Sequence, residues 1–420
     1  MKILVIGSGA REHVFFCLLN ESKLTPKLFS INPNCAIEKI SKAYKGKFSF
    51  SFVKKIICEN KIDMIIVGPE NPLIDGLVDF VKNDSEIRHV SIIGPSKIGA
   101  QLEGSKKFAK DFMYRHNIPT ASSKTFTSNS FKRGVEHIKK TSPPYVLKAD
   151  GPAAGKGVVI LNNPSDAIAE LKNMLIDGKF GESSKKVVIE EFLSGIEMSC
   201  FVLFDGKNYK TLPYAKDYKR IGEGDKGLNT GGMGAISPVS FINRELNEKI
   251  HKKIIKPTIN GIIKEKINYK GFIFIGLISV DNEPYVIEYN VRMGDPETQV
   301  VLPRIDNDFL EIMLAIENQT LDKINLKIKP DHYANIVLAS KGYPEEYKKG
   351  FEITGLNNVE DSMIFQAGTS LVENKTTTNG GRVISVVSSD KTFQGALKKS
   401  YSNIEKINFE GKTFRKDIGF

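Results

Sequence analysis

Four short apolar segments, separated by helical patterns, most constrain how the amino-terminal part of this chain can fold. The segments are residues 2–6, 27–31, 62–67 and 90–93. Each has the length and the β-branched content of a buried strand. Apolar residues recur at helical spacing between them, for example at Leu73, Leu77 and Val81. This alternation predicts an α/β fold with a doubly wound parallel sheet, whose ligand-binding loops lie at the carboxyl ends of the strands.

The amino-terminal loop, residues 7–13, follows the first of these strands. A dinucleotide fingerprint needs a third glycine for close helix packing, but Glu12 stands at that position. The second strand is followed by Asn32 rather than by an acid that could bind a ribose. Because glycines at a helix N-terminus still favour an anion, a sugar phosphate fits this loop better than a nicotinamide dinucleotide. We therefore predict substrate contacts from Gly9, Arg11, Glu12 and His13.

The net charge of +11 comes from fifty lysines and ten arginines against 49 acidic residues, spread along the chain. Nucleic-acid binding usually concentrates arginine and aromatic residues in one module, and no such module occurs here, so we expect no nucleic-acid partner. Four cysteines lie far apart, which argues against zinc and against a disulfide framework. No apolar run is long enough for a membrane span, and we expect a cytoplasmic protein without a membrane partner.

A second unit begins with a predicted strand at residues 145–149, a glycine-rich loop at 151–157 and another strand at 158–161. A Walker A loop has four residues between its first glycine and its Gly-Lys pair and then opens a helix. This loop has three and runs into a strand, which predicts a hairpin. Backbone amides at a glycine-rich hairpin tip can approach phosphates closely, and Lys148 on the incoming strand can neutralise them.

Residues 285–291 have the aromatic and β-branched content of a strand. Alternation places Glu288, Asn290 and Arg292 on one face, with successive side chains about 7 Å apart. A carboxylate and an amide oxygen suit Mg²⁺, which takes its remaining ligands from phosphate and water. Taken alone, the pair fits a half-buried edge strand with a solvated polar face better.

The order of these features resembles the ATP-grasp ligases. A lysine on a strand is followed by a glycine-rich hairpin, the hinge segment V-I-E-E-F-L, a carboxylate seven residues after the first hinge glutamate, and finally E-x-N. Within that superfamily the chain resembles the glycinamide ribonucleotide synthetase (phosphoribosylamine–glycine ligase) family over its whole length. The resemblance rests on G-S-G-A-R-E-H, G-P-S-K, Q-L-E-G-S-K, K-A-D-G-x-A-A-G-K-G-V, N-T-G-G-M-G-A and R-M-G-D-P-E-T-Q.

The resemblance implies an ATP-grasp fold with an amino-terminal α/β domain, and it implies the following site residues. ATP would be bound by Lys106, Lys148, Gly155, Lys156, Gly157, Glu190, Glu191, Phe192, Leu193 and Glu197. Glu288 and Asn290 would bind Mg²⁺ or Mn²⁺, whereas the preceding strand, residues 276–280, supplies no carboxylate. Three departures from the family pattern occur: residues 34–37 stand where the family has a glycine-bearing loop, and Pro152 and Tyr218 stand where it has Leu and His.

The implied reaction ligates glycine to 5-phosphoribosylamine through a glycyl phosphate, at the expense of ATP. Because negative charge develops on the transferring oxygens, Lys148 and Arg292 are predicted catalytic groups. Asp295 is the third predicted catalytic residue and is predicted to bind the glycine ammonium, since a buried cation needs an acidic partner. Further substrate contacts are expected from Asp217, Arg220, Thr230, Gly231, Gly232 and Glu297. Either the amino-terminal loop or residues 230–232 could hold the sugar phosphate.

We expect four domains, at residues 1–122, 123–192, 193–330 and 331–420, in a monomer or weak homodimer. The last domain is predicted to be a small α/β domain; it is expected to complete the cleft and is assigned no chemistry. Three alternatives remain: a nicotinamide oxidoreductase using the amino-terminal loop, a nucleic-acid binder suggested by charge alone, and another ATP-grasp ligase such as a nucleotide carboxylase subunit.

Overall fold

A five-stranded parallel sheet forms the amino-terminal part of the computed structural model, which describes residues 1–153 and 157–420. The strand order is β3-β2-β1-β4-β5, and every pairing is parallel. The predicted doubly wound sheet is therefore confirmed. Its elements are β1 (Lys2–Ile6), α1 (Ala10–Asn20), β2 (Lys27–Ile31), α2 (Cys35–Ile40), β3 (Lys42–Tyr44), α3 (Phe50–Asn60), β4 (Met64–Val67), α4 (Glu70–Asp75), α5 (Leu77–Asn83), β5 (Ser91–Pro95), α6 (Gln101–Gly104) and α7 (Lys106–Arg115).

The central strand β1 is buried on both faces. Leu4 and Ile6 pack into one core, and Ile3 and Val5 pack into the core on the opposite face. Successive side chains of this apolar strand point to opposite faces of the sheet. One strand therefore contributes to the cores on both sides of the doubly wound fold. The helical pattern around Leu73 and Leu77 forms two helices instead of one, because Gly76 between them has a φ of 97°.

Residues 123–191 form a separate four-stranded antiparallel sheet of order β6-β9-β7-β8 with its own core. The predicted hairpin is confirmed: Lys148 lies opposite Val158 across β7 and β8. The elements are β6 (Ser123–Thr127), α8 (Phe131–Lys140), β7 (Tyr145–Ala149), β8 (Val158–Leu161), α9 (Pro164–Leu175) and β9 (Lys186–Glu191).

The long strand β16 joins the amino-terminal sheet to the central one. Its first residues pair with β5 and its later residues pair with β17, while β10 lies on its other side. The elements of this part are β10 (Ile196–Phe204), β11 (Tyr209–Thr211), β12 (Lys216–Asp217), β13 (Arg220–Gly222), β14 (Lys226–Asn229), β15 (Gly234–Ser237), α10 (Arg244–Ile250), a π-helical segment (His251–Ile255), α11 (Lys256–Lys264), β16 (Tyr269–Val280), β17 (Glu283–Asn290), α12 (Thr298–Val301) and α13 (Phe309–Glu317).

The carboxyl-terminal sheet is antiparallel, with order β12-β15-β18-β22-β19 and with β23 paired to β18. Its strands β12 and β15 come from the preceding part of the chain, so the loop between them is held against the carboxyl-terminal sheet. The remaining elements are β18 (His332–Ser340), β19 (Met363–Gln366), β20 (Thr369–Val372), β21 (Lys375–Thr378), β22 (Arg382–Asp390), α14 (Phe393–Ile404) and β23 (Lys412–Thr413). Among the described residues, no helix has both the length and the hydropathy needed to cross a membrane.

Candidate active site

Glu12 fills the space that a third glycine would occupy in a dinucleotide loop. Its carboxylate accepts hydrogen bonds from the Gly9 amide at 2.7 Å and from Arg11 Nε at 2.6 Å, and Glu12 is only 2% exposed. A Cβ atom on Gly7 or Gly68 would overlap this side chain. The two loops after β1 and β4 therefore need glycine because they pack around a buried glutamate.

His13 connects the amino-terminal loop to the carboxyl-terminal sheet. Its Nδ1 accepts a hydrogen bond from the Gln366 amide at 2.9 Å, and Asn34 Nδ2 donates to the Gln366 carbonyl at 2.7 Å. Burial lowers the pKa of His13 to about 4, so the ring is neutral near neutral pH. Asn34, which departs from the family pattern, thus contacts protein backbone from two distant segments, because it also donates to the Ser8 carbonyl.

Acid is expected to destabilise the protein partly through His13. The folded-state pKa is depressed from 6.5 to about 4, so the unfolded state binds more protons in that window. The stability contributed by neutral His13 is present above pH 6.5 and is lost as pH falls towards 4, by about 3 kcal/mol in total. We expect His13→Gln, which keeps an acceptor and cannot titrate, to reduce the loss measured by urea unfolding between pH 7 and pH 4.5. The exposed His89→Gln serves as the control, and an equal acid loss in both variants would contradict the prediction.

Two carboxylates of the amino-terminal part hold Arg292. Its Nη2 donates to Glu103 Oε1 at 2.6 Å, and its Nε donates to Glu70 Oε2 at 3.3 Å. Glu103 Oε2 accepts the Val291 amide at 2.8 Å, so this one side chain binds both the backbone and the guanidinium at the end of β17. Burial raises the pKa of Glu103 to about 7 although Arg292 opposes that shift. Sequence reasoning did not single out Glu103, whose only signal was its place within Q-L-E-G-S-K.

Glu288 and Asn290 lie on β17 as predicted, and the strand register explains why the neighbouring strand carries no second carboxylate. Glu288 pairs across the sheet with Gly276, and a Cβ atom on Gly276 would lie 3.1 Å from Glu288 Cγ. A longer side chain on the facing strand would therefore displace the glutamate. Asn290 is 8% exposed, and its Nδ2 has no hydrogen-bond partner among the described residues.

Nearby positive charges keep Glu288 ionised. Burial raises its pKa, but nearby positive charges outweigh burial and hold the pKa below its ordinary value. Those charges belong to Lys219, Lys148, Lys106 and Arg292. Within residues 1–153 and 157–420, no group of three His, Cys, Asp or Glu side chains could hold a metal. An ionised carboxylate and one amide fit Mg²⁺ that takes its other ligands from phosphate and water, and the positive charges nearby are suited to attract such phosphates.

The predicted ATP-binding residues surround a buried ion-pair cluster. Glu190 Oε2 lies 2.9 Å from Lys148 Nζ and 3.3 Å from Lys110 Nζ. Lys110 also donates to Thr120 Oγ1 and to the Ala121 carbonyl, and burial lowers its pKa to about 8. Lys110 was not predicted from the sequence. Its only signal there is that it lies four residues, about one helical turn, after Lys106.

The other hinge residues are more exposed. Glu191 Oε1 accepts the Ser122 amide at 2.7 Å, and Phe192 is 42% exposed. Leu193 is half-buried, and Glu197 is exposed and pairs with Lys219 at 2.9 Å. Lys106 lies at the start of α7, and burial lowers its pKa. Of the predicted hairpin residues, Gly157 is buried, whereas Gly155 and Lys156 lie outside the described residues.

The carboxyl-terminal sheet contributes Arg382, although no chemistry was expected there. Arg382 Nη1 donates to the Asp295 carbonyl at 2.7 Å and to the Gly231 carbonyl at 2.8 Å, and it lies 3.3 Å from Asp295 Oδ1. Burial raises the pKa of Asp295, but Arg382 and Arg11 outweigh burial and hold the carboxylate ionised. Tyr343 from the same part of the chain accepts the Gly231 amide through its hydroxyl at 2.9 Å.

The remaining predicted substrate residues lie in or beside the loop between β12 and β15, except Glu297, which precedes α12. Thr230 Oγ1 donates to the Lys219 carbonyl and accepts the Gly232 amide. Arg220 Nη1 donates to the Gly227 carbonyl, inside the β13–β14 hairpin. Glu297 is 3% exposed, and burial together with the charge of Asp217 raises its pKa. Burial likewise raises the pKa of Asp217, although Lys219 opposes that shift.

These features are those of an ATP-grasp ligase. The hinge, the lysines and the acid–amide pair on β17 lie where the four-stranded sheet meets the central sheet. Three family matches agree: the N domain of phosphoribosylglycinamide synthetase over residues 1–103, its ATP-grasp (A) domain over 104–298 and its C domain over 333–420. The chain belongs to the phosphoribosylglycinamide synthetase family.

Individual relatives are similar over the whole chain. A phosphoribosylamine–glycine ligase of Pasteurella multocida is 41% identical, with 100% of this chain and 98% of that protein covered. The bifunctional purine biosynthetic protein purD of Dictyostelium discoideum is 43% identical over 100% of this chain, which spans 54% of that longer protein. The crystal structure of phosphoribosylamine–glycine ligase from Thermotoga maritima has a TM-score of 0.86 and 34% identity, covering 99% of this chain and 100% of that one.

Proposed function

We propose that this chain ligates glycine to 5-phosphoribosylamine, consuming ATP and forming glycinamide ribonucleotide, ADP and phosphate. One observation carries the proposal. Near the end of β17, the ionised Glu288 is close to the positive charges of Lys106, Lys148 and Lys219. The full-length similarity to phosphoribosylamine–glycine ligases supports the choice of substrates. The Pasteurella multocida and Thermotoga maritima proteins, at 41% and 34% identity, are named phosphoribosylamine–glycine ligases, which favours these substrates over those of a nucleotide carboxylase subunit.

The chemistry needs two displacements. A carboxylate oxygen of glycine attacks the γ-phosphorus of ATP and the bond to the β-phosphate oxygen breaks, which gives glycyl phosphate and ADP. The amine nitrogen of phosphoribosylamine then attacks the carbonyl carbon, inorganic phosphate leaves, and the nitrogen loses a proton to give the amide.

The residues act by binding and by charge stabilisation. Lys106 and Lys148 hold phosphate oxygens, and Glu190 to Leu193 with Glu197 bind the nucleoside. Glu288 and Asn290 hold Mg²⁺ or Mn²⁺, which neutralises phosphate charge when bound. Arg292 stabilises the transferring oxygens.

The remaining predicted residues form the substrate side of the cleft. Asp295 binds the glycine ammonium, and Glu297 lies buried beside it. The amino-terminal loop and residues 217–232 surround phosphoribosylamine. We further propose four domains with the boundaries predicted above, and a cytoplasmic monomer or weak homodimer without a nucleic-acid partner.

The decisive experiment measures ADP release while ATP, glycine, phosphoribosylamine and Mg²⁺ are omitted one at a time. We expect ADP formation to require all four components. ADP formation that did not depend on both glycine and phosphoribosylamine would overturn the proposed substrates, whereas the ATP-grasp fold would be unaffected.

A further inference from the structure

Arg382 uses only part of its guanidinium group to hold the protein together. In residues 1–153 and 157–420, all of its hydrogen bonds come from Nη1, which donates to the carbonyls of Gly231, Gly232 and Asp295. Neither Nε nor Nη2 has a protein acceptor in those residues, and the side chain is 21% exposed. A guanidinium edge formed by Nε and Nη2 is the geometry that binds a carboxylate through two parallel hydrogen bonds.

The orientation of this group is set by its neighbours. A Cβ atom on Gly231 would lie 2.9 Å from Arg382 Cζ, so the guanidinium packs directly against the glycine backbone. Three carbonyl oxygens then fix its Nη1 corner. The binding edge is therefore positioned before any ligand arrives, which lowers the entropic cost of binding.

We propose that Nε and Nη2 of Arg382 bind the carboxylate of glycine while Asp295 binds its ammonium. This inference rests on the function proposed above and names the residue that selects an α-amino acid. Asp295 Oδ1 lies 3.3 Å from Arg382 Nη1, so the acid and the base are adjacent.

Charge balance favours glycine over the sugar phosphate at this place. Asp295 faces the Arg382 and Arg11 cations, and Arg11 in turn pairs with Glu12, so these four groups together carry no net charge and a zwitterion adds none. A phosphate dianion at the same place would approach an ionised carboxylate, and that repulsion would oppose its binding. The phosphate of phosphoribosylamine therefore binds elsewhere in the cleft.

The inference is tested by steady-state kinetics of Arg382→Ala and Arg382→Lys, with glycine, phosphoribosylamine and ATP each varied in turn. We expect the KM for glycine to rise about 10- to 100-fold in both variants, because a charge-assisted pair of hydrogen bonds is lost. The KM values for ATP and phosphoribosylamine are expected to change less than about threefold. Lysine can still reach the loop carbonyls but lacks the two-nitrogen edge, so Arg382→Lys separates binding from support of the loop.

Arg244→Ala is the matched control, because that side chain is 92% exposed and its one ion pair among the described residues is with Glu248 on its own helix. A larger rise in the KM for phosphoribosylamine than for glycine would overturn the inference. So would an Arg382→Lys variant with a normal KM for glycine, or an equal change in all three KM values, since each indicates a role in the loop alone. These outcomes are distinct from failure of the proposed function, in which the wild-type protein itself forms ADP without glycine.

Discussion

Replacing Glu288 by alanine is expected to lower kcat by about 10³-fold at saturating Mg²⁺, with the circular dichroism spectrum unchanged. Glu288 is the only carboxylate of the proposed metal pair, and Gly276, which faces it across the sheet, has no side chain that could replace it. Its loss also leaves the positive charges of Lys106, Lys148 and Lys219 without this acid between them. The fold should survive, because Glu288 is half-buried and its side-chain loss leaves β17 paired with β16 along its length.

The matched control is Glu283→Ala on the same strand. Glu283 pairs with Lys249 and Lys253 on the neighbouring helical segment, away from the cleft. We expect this control to keep turnover within about twofold of wild type, because such exposed pairs contribute at most about 1 kcal/mol to stability. Near-normal turnover of Glu288→Ala, or equal losses in the two variants, would disprove the metal assignment.

Replacing Glu190 by alanine is expected to reduce the free energy of unfolding by about 3 kcal/mol. The side chains of Glu190, Lys110 and Lys148 are 4%, 4% and 8% exposed, so the variant leaves two buried ammonium groups without their carboxylate. Burial already lowers the pKa of Lys110 to about 8 with Glu190 present. Deprotonation of this lysine relieves part of the penalty, which places the expected loss near the lower end of values for broken buried pairs.

The adjacent Glu191 provides a control one residue away. It is exposed, and its carboxylate accepts only the Ser122 amide among the described residues. Urea unfolding without nucleotide should show Glu191→Ala within about 1 kcal/mol of wild type. Glu190→Gln, which keeps one acceptor for the lysines, should fall between the two alanine variants. Equal stabilities of Glu190→Ala and Glu191→Ala would contradict the buried cluster.

Local pattern was sufficient for the elements that carry the proposed ATP site. The apolar runs of β1, β2, β4 and β5, the β7–β8 hairpin and the polar face of β17 all follow from periodicity within a few residues. The short edge strand β3 was missed because its three residues have no apolar pattern of their own. The break at Gly76 was also missed, since a single glycine within a helical pattern does not reveal its φ.

Contacts between distant segments could not be predicted from local sequence patterns. Arg382 lies 87 residues from Asp295 in the chain, and Glu103 lies 189 residues before Arg292. Their side chains meet because β12 and β15 pair into the carboxyl-terminal sheet and because β16 pairs with β5. The periodicity of the sequence does not predict which strands become neighbours.

The sequence by itself therefore determined the class of fold, the order of the ATP-grasp motifs and the placement of Glu288 and Asn290 on one strand face. These depend on alternation and spacing, which act over a few residues. Only the tertiary structure decided that Glu12 is the buried support of the amino-terminal loop, that Lys110 shares Glu190 with Lys148, and that Arg382 reaches Asp295. Those contacts depend on strand pairing and packing across the whole chain, and the protonation of the groups depends on the burial that such packing creates.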